Sequence, residues 1–285
     1  MNCRVLLAQI EPTLGNLSAN LELHLAQIED ARKRGIELVL FPELSLSGYF
    51  LRDQVAEVAL AREHALLAEL CERSRGISIG AGFVERGSDG RLYNAYGFFE
   101  DGRLLDVHRK VHLVTYGMFD DARDFAPGER FRAVESRLGR FGVLICEDMW
   151  HVSAAYLHFI SNVDALLVPS SSPGRGVSRE SEPGLRSVHT WNRMQDALAL
   201  LFQTWIVYVN RVGSEDGVLF SGGSRVVDPF GRESGALATL EPGSLEVVLR
   251  DEAMHRARIT TPLRRDEKPW LVQRELERIL GQQNS

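Results

Sequence analysis

Short apolar runs that stop at charged or turn residues, alternating with segments whose leucines recur every three to four positions, constrain this chain more than any other feature. Residues 4–10 read as a strand, and Leu17, Leu21, Leu25, Ile28 and Ala31 then mark one face of a helix. Gly35 supplies a helix stop, and residues 37–41 read as a second strand that delivers Glu43 at its carboxyl end. A strand, helix, strand unit of this kind points to an α/β fold built in layers.

The same reading continues along the chain. It predicts a long helix over 55–75, strands at 77–84 and 92–99 joined through an Asp89-Gly90 turn, and a strand at 104–108 leading to Lys110. Another strand ends at Cys146. A helix near 152–162, a buried strand at 165–169, a helix at 187–204 and strands at 205–211, 225–227 and 245–249 follow. The stretch 170–184 is long, polar and rich in Gly and Pro. It reads as an active-site loop rather than a linker, because the segments on both sides look like parts of one sheet system. The expectation is one domain over 1–285, with 256–285 a polar, arginine-bearing C-terminal arm that closes on a helix at 270–280.

Composition narrows the functions. The chain carries 44% hydrophobic and 25% charged residues, which fits a folded globular protein rather than a disordered one. With 33 basic against 39 acidic residues, and no stretch that concentrates Lys and Arg, nucleic acid is an unexpected partner. No signal-peptide pattern and no run long enough for a membrane span is seen, so a cytoplasmic protein without a membrane partner is expected. Three cysteines without a Cys-x-x-Cys pair suit a reducing compartment. Cys3 and Cys71 read as packing residues.

Cys146 reads differently. Its strand stops at the thiol, Glu147 and Asp148 follow at once, and ligands of open α/β sheets bind at carboxyl-terminal strand edges. A thiol attacks a carbonyl well only with a base and a cationic group nearby, and Glu43 and Lys110, each also after a predicted strand, supply both. Cys146 is therefore expected to be the most thiolate-like of the three cysteines. His108 and His112 are spaced i, i+4, but the strand-to-loop break between them argues against a metal pair. His151 and His158 read as packed or solvated. No Gly-x-Ser-x-Gly elbow or phosphate-binding loop occurs, and Ser170-Ser171-Ser172 lacks the setting of a serine amidase.

The segments Phe41-Pro42-Glu43, His108-Arg109-Lys110-Val111-His112-Leu113 and Leu144-Ile145-Cys146-Glu147-Asp148, in this order, resemble the nitrilase, or carbon-nitrogen hydrolase, superfamily. The resemblance continues through Asn210-Arg211-Val212-Gly213, Phe220-Ser221-Gly222-Gly223-Ser224 and Val227-Asp228-Pro229-Phe230-Gly231. It implies a four-layer α-β-β-α sandwich with Glu43 as general base, Lys110 at the oxyanion and Cys146 as nucleophile, and no metal or organic cofactor. The backbone N–H of Glu147 is a candidate second oxyanion donor. Superfamily members often carry a further glutamate four residues before the Phe of a Phe-x-Pro-Gly segment. Here Asp121 holds that place, with Asp120 as a competitor.

Tyr116-Gly117-Met118-Phe119 and Cys146-Glu147-Asp148-Met149-Trp150 look most like the glutamine-amidase domains of NAD synthetases and their free-standing relatives. The expected activity is hydrolysis of a linear amide, an ω-amide or a carbamoyl compound, through a thioester, with nitrile hydrolysis or an inactive scaffold as alternatives. Tyr116, Glu147, Trp150, Ser171 and Arg175 are the expected substrate contacts. Relatives of this fold pair through helices beside the nucleophile, so a homodimer or higher homo-oligomer is expected.

Overall fold

Several strands of this chain read as unbroken apolar runs because they are covered on both faces. On the first strand Val5 and Leu7 pack toward one core, while Leu6 and Ala8 pack toward another. A computed structural model describes residues 2–178 and 184–283. The chain begins β1 (Asn2–Gln9), α1 (Leu17–Lys33), β2 (Leu38–Leu40), α2 (Ala65–Arg73), β3 (Ser78–Arg86), β4 (Leu92–Glu100) and β5 (Arg103–Arg109). Next come the one-turn α3 (Asp121–Asp124), β6 (Ala133–Ser136), β7 (Gly139–Val143), α4 (Val152–Ile160) and β8 (Ala165–Ser170). A two-residue hairpin, β9 (Val177–Ser178) with β10 (Gly184–Leu185), precedes α5 (Arg186–Phe202) and β11 (Trp205–Asn210). The hairpin β12 (Ser214–Glu215) with β13 (Val218–Leu219) follows, then β14 (Arg225–Val227), β15 (Glu233–Ala236) and β16 (Gly243–Arg250). Three helices close the chain: α6 (Asp251–Thr260), α7 (Leu263–Asp266) and α8 (Pro269–Gln283).

Two six-stranded sheets repeat one plan. The first has the order β16-β1-β2-β3-β4-β5 and the second β15-β14-β11-β8-β7-β6. In each the three central strands are parallel, β1, β2 and β3 in one and β7, β8 and β11 in the other. Val5, Leu7, Leu38, Leu40 and Phe98 of the first sheet meet Phe141, Val143, Leu167 and Val207 of the second in a shared core. Phe98 stacks on Phe141 across it with ring centroids 5.7 Å apart, so Phe141→Ala should cost about 3–5 kcal/mol. The outer face of the first sheet is covered by Ile28 and Ala31 of α1 and by Leu67 and Leu70 of α2. Ala155 and Phe159 of α4 and Leu198 and Phe202 of α5 cover the second. The fold is thus the expected α-β-β-α sandwich.

Three expectations need correction. The helix expected over 55–75 begins only at Ala65. Leu60 instead makes a parallel bridge with Glu85, its N–H donating to the Val84 carbonyl and its own carbonyl accepting from Arg86. Pairing with the end of β3 that runs on past β2 overrides the helical spacing of Val55, Val58 and Leu60. The buried face of α1 is also rotated: Asn20 and His24 lie inside with Ile28 and Ala31. Asn20 is satisfied there by the Thr13 and Leu46 carbonyls. The boundary of the arm expected at 256 falls within α6, whose Met254 and Ala257 are buried against the body of the chain. Among the described residues no helix is long and apolar enough to cross a membrane.

Candidate active site

The carboxyl ends of four strands converge, three of them central and one, β5, at the edge of its sheet. Phe41, Pro42 and Glu43 follow β2, Lys110 follows β5, Cys146 follows β7 and Ser171 follows β8. Two glycines allow the close approach. A Cβ on Gly82 of β3 would lie 2.3 Å from the Leu44 nitrogen, so only glycine lets the segment bearing Glu43 cross that strand. A Cβ on Gly128 would lie 2.2 Å from the Arg109 carbonyl, and the Gly128 N–H donates to the carbonyl of Lys110.

Glu43 and Lys110 are 1% exposed and Asp121 is 4% exposed. The lysine ammonium donates to Glu43 Oε1 at 2.8 Å and to Asp121 Oδ2 at 2.7 Å. Glu43 Oε1 also accepts from Asn94 Nδ2, and its Oε2 accepts from the Ser171 N–H, each at 2.8 Å. Tyr49 donates its hydroxyl to Asp121 Oδ1 at 2.6 Å. Burial disfavours the charge of Lys110, but Asp121 and Glu43 outweigh it and hold the ammonium well above its ordinary pKa. Burial raises the pKa of Glu43, opposed by the attraction of Lys110. Of the two neighbouring aspartates, Asp121 is the buried one on the ammonium, and Asp120 is exposed beside it.

The thiol behaves otherwise than expected. Burial raises Cys146 well above the ordinary cysteine value, the charge of Glu43 adds to the rise and Lys110 opposes it. Cys3 is pushed up to about 12, chiefly by burial, and Cys71 is raised by the same cause. No low-pKa thiolate distinguishes Cys146. A thiol so raised attacks a carbonyl only with a neighbouring base to take its proton. The residue also has φ +46°, a left-handed conformation costly for a side chain and typical of strained functional turns.

Cys146 lines a cavity of about 270 Å³ together with Tyr116, Phe119, Glu147, Trp150, Ser172, Arg175 and Trp191. Four of the five expected contacts are therefore at its wall. Ser171 is not: it is buried behind, with its N–H on the Glu43 carboxylate and its hydroxyl on the Glu43 carbonyl at 3.0 Å. Its neighbour Ser172 lines the cavity instead, and there Trp191 Nε1 donates to Ser172 Oγ at 2.7 Å. The Tyr116 hydroxyl donates to both Glu147 oxygens, at 3.1 and 3.0 Å, and burial with this bond pushes the tyrosine up to about 12. Burial likewise raises Glu147. Of the loop 170–184, the described part through Arg175 contributes to the cavity wall, while 179–183 lie outside the described residues. A larger polar cleft of about 420 Å³ around Arg62, Arg91 and Arg132 does not include the thiol.

A profile for carbon-nitrogen hydrolases matches residues 4–256, nearly the whole chain. The chain belongs to the carbon-nitrogen hydrolase family. A glutamine-dependent NAD(+) synthetase of Thermotoga maritima is 35% identical over 233 residues, covering 80% of this chain and 38% of that protein. The glutamine-dependent NAD+ synthetase structure from Acinetobacter baumannii superposes with a TM-score of 0.79 at 29% identity, over 89% of this chain and 47% of that one. A Helicobacter pylori carbon-nitrogen hydrolase shares the fold over its length, with a TM-score of 0.83 at 23% identity and coverage of 98% and 99%. This hydrolase chain thus spans less than half the length of the synthetases that it matches.

Sequence reasoning missed Asn94, Tyr49 and the role of Asp148. Asn94 carried a signal, being a lone amide inside the apolar strand Tyr93 to Phe99. Tyr49 carried none, because only the fold brings its hydroxyl to Asp121. Asp148 was visible only as the end of a motif. His108 and His112, set aside as a metal pair, both turn to that aspartate: His108 Nε2 lies 3.0 Å from Oδ2 and His112 Nδ1 lies 3.1 Å from Oδ1. Of the two histidines expected to be packed or solvated, His158 is buried, and burial lowers it to about 4. His151 is partly exposed and stacks on His112 with centroids 3.6 Å apart.

Proposed function

We propose that this chain is a thiol amidohydrolase that releases ammonia from an amino-acid ω-amide, glutamine foremost. The observation that carries the substrate class is the cavity wall, where a carboxylate, Glu147, and a guanidinium, Arg175, accompany the thiol. Opposite charges at one small cavity suit the ammonium and carboxylate of a free amino acid, which leaves the side-chain amide to reach Cys146. The names of the matching relatives, glutamine-dependent synthetases, support the same choice.

In this reading the amide carbonyl approaches Lys110, whose fixed ammonium stabilises the negative charge that develops on oxygen, with the Glu147 N–H as a second donor. Glu43 removes the thiol proton as sulfur attacks and returns it to the leaving ammonia, which leaves a thioester on Cys146. Glu43 then activates water for hydrolysis. Asn94 and Ser171 hold the Glu43 carboxylate in place, and Asp121 holds the ammonium.

The test is ammonia release from glutamine, from glutaramic acid, which lacks the α-ammonium, and from simple aliphatic amides and nitriles. Glutamine should be preferred, Glu147→Gln should erode that preference, and Cys146→Ala should abolish turnover while leaving the fold intact. Residual activity above about a tenth of wild type in Cys146→Ala would sink the covalent mechanism. A preference for nitriles would replace the amidase reading.

A further inference from the structure

One completely buried carboxylate lies between the two halves of the site and touches neither the thiol nor the ammonium. Asp148 Oδ1 accepts from the backbone N–H of Val111 at 3.1 Å and of His112 at 2.9 Å, the two residues after Lys110. Asp148 Oδ2 accepts from the N–H of Ile145 at 3.1 Å, the residue before Cys146. The His108 and His112 imidazoles complete the set. The Asp148 N–H in turn donates to the Ile145 carbonyl at 3.0 Å, closing the turn that holds Cys146 at positive φ.

We infer that Asp148 is a positioning residue that fixes the lysine loop against the nucleophile turn, and so sets the placement of Lys110 relative to Cys146. Lys110 leaves the last strand of one sheet and Cys146 leaves a strand of the other, so no shared strand pairing fixes their separation. A carboxylate is rigid: its Oδ1 is held by the lysine loop, and its Oδ2 joins the Ile145 N–H of the nucleophile turn to the His108 imidazole of β5. Five donors, two of them imidazoles, occupy its acceptor sites, which is the arrangement that keeps a buried carboxylate ionised. Neither Glu43 nor Asp121 does this work: both grip the ammonium tip, whereas Asp148 grips the backbone beside it.

The inference rests on the amidase reading for its rate measurement and on geometry alone for its second readout. In Asp148→Asn one side of the group becomes a donor and faces N–H groups. A misplacement of about 1 Å at such a site costs about a hundredfold in rate. The expected result is a kcat lowered by about a hundredfold, with KM within about twofold because no cavity residue has changed. Hydrogen exchange should quicken at the Val111, His112 and Ile145 amides. An unchanged kcat, or a loss that appears only in KM, would overturn the inference.

If Asp148→Asn does not fold, His112→Ala decides: it removes one partner of Oδ1 and should lower kcat severalfold at constant KM, and no change in kcat refutes the role. If the wild-type protein releases ammonia from no amide, the amidase reading falls, and alkylation of Cys146 judges Asp148 instead. Slower alkylation in Asp148→Asn supports the role, and an unaltered rate refutes it.

Discussion

Replacing Asp121 by asparagine tests the buried charge cluster most directly. Lys110 lies between Asp121 Oδ2 at 2.7 Å and Glu43 Oε1 at 2.8 Å, with all three side chains almost wholly removed from water. Removing one partner of a buried pair costs about 3–5 kcal/mol, and because Glu43 still neutralises the lysine the low end applies. At about 2–4 °C per kcal/mol, Tm should fall by about 6–12 °C. Asparagine still accepts the Tyr49 hydroxyl, whereas Asp121→Ala strands that donor and should cost about 1–3 kcal/mol more. The pH profile carries the sharper test. The negative charge of Asp121 raises the pKa of both Glu43 and Lys110, so removing it lowers both. The acid limb of kcat/KM, which requires ionised Glu43, should move to lower pH, and the limb set by protonated Lys110 should move the same way. Peak rate should fall, since a less basic carboxylate is a weaker proton acceptor. Glutamine-dependent ammonia release across pH, with a thermal melt, measures all of this. An acid limb that stays in place or rises, or a Tm within about 2 °C of wild type, would refute the reasoning.

Lys110→Arg should remain at least about a hundredfold below wild type, because a planar guanidinium cannot replace a compact ammonium in this site; near-normal steady-state rates would remove the lysine from the mechanism. Brief iodoacetamide treatment should label Cys146 ahead of Cys3 and Cys71, and Glu43→Gln should slow that labelling, since all three thiols are raised and Cys146 lines the cavity with the Glu43 carboxylate acting on it; mass spectrometry showing Cys71 first would contradict this. His24 is buried, and burial lowers it to about 4 from an unfolded value of 6.5, so the folded state binds fewer protons between these values. Its stabilising contribution is present above pH 6.5 and is lost as pH falls toward 4, by about 3 kcal/mol in total. Denaturant midpoints for wild type should therefore fall more steeply over that window than for His24→Gln, and parallel profiles would exclude it. On the homodimer expected from the sequence, light scattering should show a dimer that weakens when the chain ends at Lys268. That cut spares the buried Met254 and Ala257 of α6, and a full-length monomer at micromolar concentration would defeat the expectation.

The sequence by itself determined the strands and which of them end in chemistry. Runs such as Ala165 to Val168 and Trp205 to Val209 are apolar at every position because both sheet faces are covered, and Glu43 and Cys146 stand just past such runs, while Lys110 follows the mixed strand Arg103 to Arg109. It also marked Tyr116, Glu147 and Trp150, which follow the motifs closely enough for local geometry to carry them to the cavity, and Arg175, which lies in the loop after β8. Where a position depends on a partner far along the chain, the sequence was silent or misleading. Leu60 has helical spacing but pairs with the end of β3, Ser172 rather than Ser171 lines the cavity, and Tyr49 reaches Asp121 across 72 positions. The charge state of Cys146 belongs to the tertiary structure as well. A cysteine beside a lysine in sequence logic suggests a thiolate, but burial costs the anion more than one shared ammonium returns, and that balance exists only once the two sheets have closed over the site.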